Sequence, residues 1–498
     1  MERIGQRNWP GDLAAGQVPP LAAVVLAAGL GKRMVSQQPK VLHRLAGLPL
    51  AAHALRALAP LNPSHTVVVV GHGSEQVRAT LGSTYGPDNN LPITYAEQPE
   101  QLGTGHAVLV TEPALHDYRG PVLVMYGDSP LLRTETLGTL LNKHMQASAN
   151  LTMLTCIAKD PAGYGRVIRD HNQGLIAVVE DRNATLTQRA ISEVNSGVYI
   201  FDSEWLWPHL ERVELNPRGE YYLTDLIAMA IEEERRRGTP SATRGRALGS
   251  VVTFTLDGME EAMGINSKQQ LAQAEEIVQT RLRRACLEAG VTMLLPETVY
   301  LGMDVQIEPD TVLYPGVILE GSTTIGSACV LGPNTHVIDS TIAPNCRVVA
   351  SMVEGSRVDT GVTIGPYSHL RPGTHICENV HLGNFAEVVR STLEPGVAMG
   401  HVGYIGDSHV GENTNIGAGT ITANYSPNKT KSRTIIGKNV FIGSDTMLRA
   451  PVEVGDGAVT GLGSVVTKDV APYTVVAGVP ARVMKELEQP SSEGDGEG

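Results

Sequence analysis

Two patterns in the 498-residue sequence predict an α/β half followed by a parallel β-helix. From Leu21 to about Pro240, short apolar runs alternate with helix-length segments, the pattern of a mainly parallel, doubly wound sheet with helices on both faces. Beyond it aliphatic residues recur at a spacing of six: Leu301, Ile307, Leu313, Leu319, Ile325, Leu331 and Val337, then Ile364 to Val388, then Ile436 to Val454. One inward aliphatic and a turn per hexad is the signature of a solenoid whose short strands pair with the coils above and below. The composition agrees, because 53 Gly, 30 Pro and only 4% aromatic residues suit many tight turns and little bulky core.

The length divides naturally into more than one domain. We place a loose extension at 1–20, the α/β domain at 21–265, a linker helix at 266–295, the repeat domain at 296–485 and a disordered acidic tail at 486–498. The net charge of −13, without a basic block, argues against nucleic acid as a partner. The first twenty residues include Glu2 and Asp12 and lack the apolar core of a signal or membrane segment. Five widely spaced cysteines fit neither a disulfide framework nor a CxxC metal site, so a reducing cytoplasm is the simple reading.

In chain order, LAAVVLAAGLGKRM at Leu21–Met34 reads as a buried strand entering a glycine turn. Gly29 and Gly31 let the backbone approach a ligand closely, with Lys32 and Arg33 adding charge. The spacing matches neither the P-loop nor the full GxGxxG fingerprint, and solvated cations beside a strand turn would read the same way. Further strands are expected at Thr66–Val70, Pro121–Asp128 and Leu151–Ala158, and ligands of such sheets sit at the carboxyl ends of strands, where Gly29, Gly71 and Asp128 fall. Lys40 follows in PKVL. The run QPEQLGTG from Gln98 offers two amides suited to reading a base edge, or simply a polar loop. Asp128 closing a strand is a helix cap or a Mg²⁺ ligand.

Ser267 to Ala289 carries apolar residues among charges and ends at Gly290, which predicts a long connecting helix. Within the hexads, Asn424 to Thr434 breaks the period and reads as a loop leaving the coil. Glu387, His401, Tyr404, Asn415, Asn424 and Ser444 are polar residues that a purely structural solenoid does not need.

The order LAAGxGxRM, PKVL, LGTGHA, YGD, GYGR, VVE, EVNSG, EYYLTD and GIN resembles the sugar-1-phosphate nucleotidylyltransferases across the N-terminal half. With HVGY at His401 and NIGAGTITANY after it, the chain most closely resembles the bifunctional N-acetylglucosamine-1-phosphate uridylyltransferase/glucosamine-1-phosphate acetyltransferases of bacteria. The resemblance implies a Rossmann-like nucleotidylyltransferase domain and a left-handed parallel β-helix of hexapeptide repeats, assembled as a cytoplasmic homotrimer. It implies UTP, acetyl-CoA, glucosamine 1-phosphate and N-acetylglucosamine 1-phosphate as substrates, Mg²⁺ as cofactor and no membrane partner. Residue by residue it assigns Arg33 and Lys40 to catalysis on the phosphates, and Leu26, Ala27, Ala28, Gly29, Lys40, Gln98, Gln101, Gly103 and Thr104 to the nucleotide. Tyr126, Asp128, Gly165, Glu180, Asn195 and Asn266 would meet the sugar, with Asp128 and Asn266 also holding Mg²⁺. In the second half it makes His401 the catalytic base, oriented by Glu387. Arg371, Glu387, Tyr404, Asn415 and Lys431 fall to the acceptor, and Ala418, Asn424, Tyr425, Ser444 and Leu462 to acetyl-CoA.

Three positions depart from that family: Val389 stands where a phosphate-binding lysine is common, the loop reads NYSP, and Leu462 replaces a small residue. Arg390 is a poor substitute for the missing lysine, since adjacent strand residues face opposite ways. Two other readings share the fold: a monofunctional nucleotidylyltransferase with a structural or regulatory β-helix, and a non-catalytic assembly subunit. His401 with Tyr404 and Asn415 argues against the first, and Arg33, Lys40 and Asp128 argue against the second.

Overall fold

A computed structural model describes residues 20–82, 84–85, 91–237 and 251–488. The expected extension up to residue 19 and the tail from residue 489 lie outside the described residues. The chain forms two compact units, Met1–Val278 and Gln279–Gly498.

The first unit is built on a nine-stranded sheet. Its strands are β1 (Ala22–Leu26), β2 (His65–Val70), β3 (Thr94–Glu97), β4 (Pro121–Tyr126), β5 (Leu151–Ile157), β6 (Arg166–Arg169), β7 (Leu175–Val179), β8 (Glu193–Asp202) and β9 (Val251–Leu256). The path β4-β1-β2-β3 is parallel throughout. The other half is mixed: β8 runs antiparallel to β4, β5 and β6, while β9 is parallel to β5. The sheet is therefore less uniformly parallel than the alternation of runs suggests. The apolar content of a strand records its burial, and burial is the same whichever way the strand runs.

Alternation along β1 divides the interior into two cores. Ala22, Val24 and Leu26 join Trp205, Leu206, Leu226 and Ile227 on one face. Ala23, Val25 and Ala27 join Leu55, Leu58, Leu137 and Leu140 on the other. Leu55, Leu58, Leu137 and Leu140 come from α1 (Leu50–Leu58) and α2 (Thr134–Ala147), while Trp205 and Leu206 come from the helix Ser203–Leu210 and Leu226 and Ile227 from α3 (Asp225–Arg237). Helix α4, Lys268–Glu288, then runs across the division between the units.

The second unit is a three-walled solenoid with walls of twelve, ten and nine strands, all parallel except the last strand of the first wall, Arg482–Glu486, which runs antiparallel. Its core is the predicted aliphatic column: Leu313, Leu319, Ile325, Leu331, Leu370, Val388 and Ile442 are all fully buried. The sixfold period lapses between Val337 and Val358, and between Val388 and Val410, because five corners are one residue shorter. At each a residue with positive φ precedes a serine: Asp339-Ser340 (φ 46), Ala350-Ser351 (44), Gly355-Ser356 (48), Arg390-Ser391 (46) and Asp407-Ser408 (50). Each serine hydroxyl donates to the carbonyl two residues back, at 2.7 to 2.9 Å. That bond ties each serine side chain back across its tightened corner, and at Ile338 and Val389 it adds to a backbone N–H the carbonyl already accepts. The loop after Ala423 is the opposite case. Tyr404 pairs with Ile421, but Ile421 pairs with Met447, the intervening chain leaving the wall as a hairpin closed by Tyr425 and Lys431.

Candidate functional site

The carboxyl ends of β1 and β4 open into a cavity of about 500 Å³ in the first unit, a size suited to a small molecule. Leu26, Ala28, Gly29, Lys40, Gln98, Gln101, Gly103, Thr104, Tyr126, Asp128, Gly165, Glu180, Asn195 and Asn266 all line it. Two of the sequence-predicted residues do not. Ala27 points into the core beneath the sheet, as alternation along β1 requires. Arg33 sits exposed on the short turn Lys32–Met34, near enough for its charge to act on the Tyr164 phenol.

One end of the cavity is shaped by amides. Gln98, 4% exposed, donates to the Gly103 carbonyl at 3.0 Å, and Gln101 donates to the Ala28 carbonyl at 2.6 Å. Gly103 holds φ +96, and a Cβ there would stand 2.5 Å from the Tyr221 carbonyl oxygen. The position therefore requires glycine, and its tight backbone delivers Thr104, whose hydroxyl accepts from the Leu223 N–H at 3.1 Å.

At the centre Lys40 makes an ion pair with Asp128 and donates to Asn266 Oδ1 at 3.1 Å. Both ion-pair side chains are only 12% exposed. Two hard oxygen donors thus converge on one cation, and the same pair suits a divalent ion such as Mg²⁺. Asp128 is fixed from behind, its backbone carbonyl accepting from the Ile265 N–H at 2.8 Å.

The far end is polar and partly buried. Burial raises the Glu180 carboxyl above its usual range, partly offset by Thr224, whose hydroxyl donates to it at 3.3 Å. Burial, then Asp128 and Glu180, raises the Tyr126 phenol, so it remains a hydrogen-bond donor through neutral pH. Asn195 donates to the Tyr199 hydroxyl at 2.5 Å, while its carbonyl accepts from Gly197 N at 3.1 Å. Gly197 holds φ +81, and a Cβ would fall 2.2 Å from the Tyr126 ring, so only glycine lets that ring lie over the cavity floor. Sequence reasoning missed Tyr199, Glu220, Tyr222 and Thr224, which also line the cavity. The last three belong to the EYYLTD run, whose dense polar and aromatic content was the available signal.

In the second unit the solenoid aligns residues distant in sequence. His401, Ala418, Ser444 and Leu462 each follow a glycine (Gly400, Gly417, Gly443, Gly461) that ends a strand of the twelve-stranded wall. They therefore occupy equivalent corner positions on successive coils. His401 is exposed and Leu462 is 79% exposed. On the ten-stranded wall Glu387 pairs in register with Tyr404 and accepts from Arg371 at 3.0 Å. Asn415 lies elsewhere, on the twelve-stranded wall, paired with Ala398. Asn424 anchors the excluded hairpin, donating to Asp407 Oδ2 at 2.5 Å. Tyr425 is 61% exposed and bridges to Lys431 across that hairpin. Val389 is 2% exposed, so its side chain is buried. Arg390 sits at a corner rather than in a strand, and its guanidinium is held by both carboxylate oxygens of Asp407, at 2.6 and 2.8 Å.

Residues 23–195 match the family of MobA-like NTP transferase domains, and residues 433–468 match the bacterial transferase hexapeptide family of six repeats. The second match identifies the solenoid as one of hexapeptide repeats, consistent with a left-handed β-helix. Proteins named "Bifunctional protein GlmU" resemble nearly the whole chain. The one from Heliobacterium modesticaldum is 44% identical over 90% of this chain and 93% of its own length. The one from Streptococcus mutans is 41% identical over 93% and 96%, and that of Carboxydothermus hydrogenoformans 40% identical over 94% and 99%.

Proposed function

Because the chain belongs to the bifunctional GlmU family, we propose that its two units catalyse successive steps of UDP-N-acetylglucosamine synthesis. It is an enzyme with a nucleotidyltransferase domain and a hexapeptide transferase domain. The solenoid transfers the acetyl group of acetyl-CoA to glucosamine 1-phosphate, and the α/β unit joins the product to the uridylyl group of UTP, releasing pyrophosphate. The observation that carries this reading is the single cavity gathering Lys40, Asp128 and Asn266 between an amide-lined end and a polar end.

In uridylyl transfer the sugar phosphate oxygen attacks the α-phosphorus of UTP against like-charge repulsion. Positioning and fixed positive charge lower that barrier without a covalent nucleophile. Lys40 supplies a cation inside the cavity and Arg33 another at its rim. Gln98, Gln101, Gly103 and Thr104 enclose the uracil, and Glu180 and Asn195 hold the acetamido sugar. Asp128 and Asn266 would hold Mg²⁺, which when bound neutralises charge on the reacting phosphates. In acetyl transfer the His401 imidazole takes a proton from the glucosamine amine as that nitrogen attacks the thioester carbonyl, and coenzyme A leaves as the thiol. Glu387 orients His401. Arg371, Tyr404, Asn415 and Lys431 hold the acceptor, and Ala418, Asn424, Tyr425, Ser444 and Leu462 border the coenzyme.

The reading extends to a homotrimer in the cytoplasm. Asn415 stands on a different wall from Glu387 and Tyr404, which supports an acceptor pocket completed by a neighbouring copy. No helix among the described residues is long and apolar enough to cross a membrane.

One incubation with acetyl-CoA, glucosamine 1-phosphate, UTP and Mg²⁺ tests both steps if thiol and pyrophosphate are followed separately. His401→Ala should stop thiol release yet leave uridylylation of supplied N-acetylglucosamine 1-phosphate intact, and Asp128→Ala should do the reverse. Loss of both activities in either folded variant would sink the two-site reading.

A further inference from the structure

The hexad stack brings together three side chains that the chemistry above does not use. Asp359, His375 and Cys377 each present a ligand atom, and the three atoms lie within 4.8 Å of one another. Asp359 Oδ2 is 2.7 Å from His375 Nε2, which is 3.9 Å from Cys377 Sγ. Asp359 belongs to one coil and the other two to the next, since Arg357 pairs with His375 and Val358 with Ile376. The residues lie sixteen and eighteen positions apart in sequence, too far for a CxxC-like motif, but one turn of the solenoid closes that gap.

We propose that Asp359, His375 and Cys377 form a binding site for a borderline transition-metal dication of the Zn²⁺ type, clipping two successive coils together. A thiolate, an imidazole and a carboxylate are the donor mixture such an ion takes, whereas Mg²⁺ and Ca²⁺ take oxygen alone. A tetrahedral ion with ligand bonds of about 2.0–2.3 Å needs its donors roughly 3.3–3.8 Å apart, so only small shifts separate the observed spacings from ligation. The surroundings suit it. Arg357 donates to Asp359 Oδ1 at 2.9 Å, orienting the carboxylate while leaving Oδ2 for the metal. Burial pushes the Cys377 thiol up to about 11, and the carboxylates of Glu394 and Asp359 push the same way. A dication offsets that unfavourable field. Cys377 is 8% exposed, whereas the His375 and Asp359 side chains are 36% and 20% exposed, so an ion can enter from solvent and keep water as its fourth ligand. On binding, the Asp359–His375 hydrogen bond opens, His375 gives up the Nε2 proton it shared with Asp359 and passes through solvent to the neutral tautomer protonated on Nδ1, which frees Nε2 for the metal, and the Cys377 thiol proton passes to solvent.

The test is titration of the reduced full-length chain with Co²⁺, whose bond to a thiolate gives a charge-transfer band in the near ultraviolet. One equivalent should produce the band, and Zn²⁺ should abolish it by displacement. Cys377→Ser should remove the band, and His375→Ala should weaken binding about tenfold or more. Oxygen ligands at Asp128 and Asn266 give no such band, so the result is independent of the catalytic assignment. Absence of the band at stoichiometric metal, its persistence in Cys377→Ser, or unchanged affinity in His375→Ala would each overturn the proposal.

Discussion

Removing the ammonium of Lys40 should tighten the binding of Mg²⁺ to the substrate-free chain while impairing uridylyl transfer. Lys40 Nζ occupies the point on which Asp128 and Asn266 Oδ1 converge, so a divalent cation must displace it from both. With each ion-pair side chain 12% exposed, solvent screens the pair only weakly. Hydrogen bonds to charged groups are worth about 1.5–3 kcal/mol net, and that is the cost Mg²⁺ must meet before it gains anything. Lys40→Met keeps the length of the stem without the charge. Its Mg²⁺ dissociation constant should fall roughly 10- to 100-fold by that measure, read by calorimetric titration without nucleotide. Pyrophosphate release at saturating Mg²⁺ should fall, because the cation that greets the triphosphate is gone. Mg²⁺ affinity that is unchanged or weaker in Lys40→Met would refute the competition argument and indicate that the metal binds elsewhere.

Three further outcomes follow from the geometry. Gly103→Ala should weaken UTP binding and cost about 1–3 kcal/mol of stability, because its φ of +96 and the Tyr221 backbone cannot yield; Gly219→Ala, with positive φ but open space, isolates the strain, and equal losses in the two would remove the role given to the clash. Burial pushes the His144 imidazole from its ordinary 6.5 down to about 4, so unfolding takes up a proton between those values. Stability is then full above pH 6.5 and falls towards pH 4, by about 2–3 kcal/mol at pH 4.5, and urea unfolding of His144→Gln should lack that share of the loss. Asp407→Ala releases Arg390 and Asn424, and amide exchange across residues 424–432 should quicken; unchanged exchange would show that the hairpin is held by its own Tyr425–Lys431 bridge.

The sequence made the walls visible where burial left a simple trace. Continuous apolar runs marked β1, β2 and β4, and strict hexads marked the first coils of the solenoid. It did not reveal the direction of β8, since inward and outward burial look alike in either orientation. Hexad counting lost its place at Ser340, Ser351, Ser356, Ser391 and Ser408, because a five-residue step keeps the strand and shortens only the corner. In the site, Lys40 and Asp128 were legible as polar residues after a glycine turn and at a strand end, and Asn266 through the family resemblance, yet their convergence joins Lys40 to residues 88 and 226 positions away. Ala27 faces the core rather than the cavity, which a run of small residues conceals. Tyr222 and Thr224 stood in a run dense in polar and aromatic residues, but only the fold brings that run to Glu180 and the cavity.

The shortened corners say something about how such a chain can change length. Each coil counts as closed once its three inward aliphatics are in place, whatever number of residues lies between them. An insertion or deletion at a corner is absorbed by one left-handed residue and one serine hydroxyl, and leaves every other coil in phase. The same edit inside a wall would turn an aliphatic outward and throw the stack above it out of step. Corners are therefore the places where this half of the molecule can be lengthened, trimmed or grafted without renumbering its core, and the hairpin that begins at Asn424 is one such graft already in place.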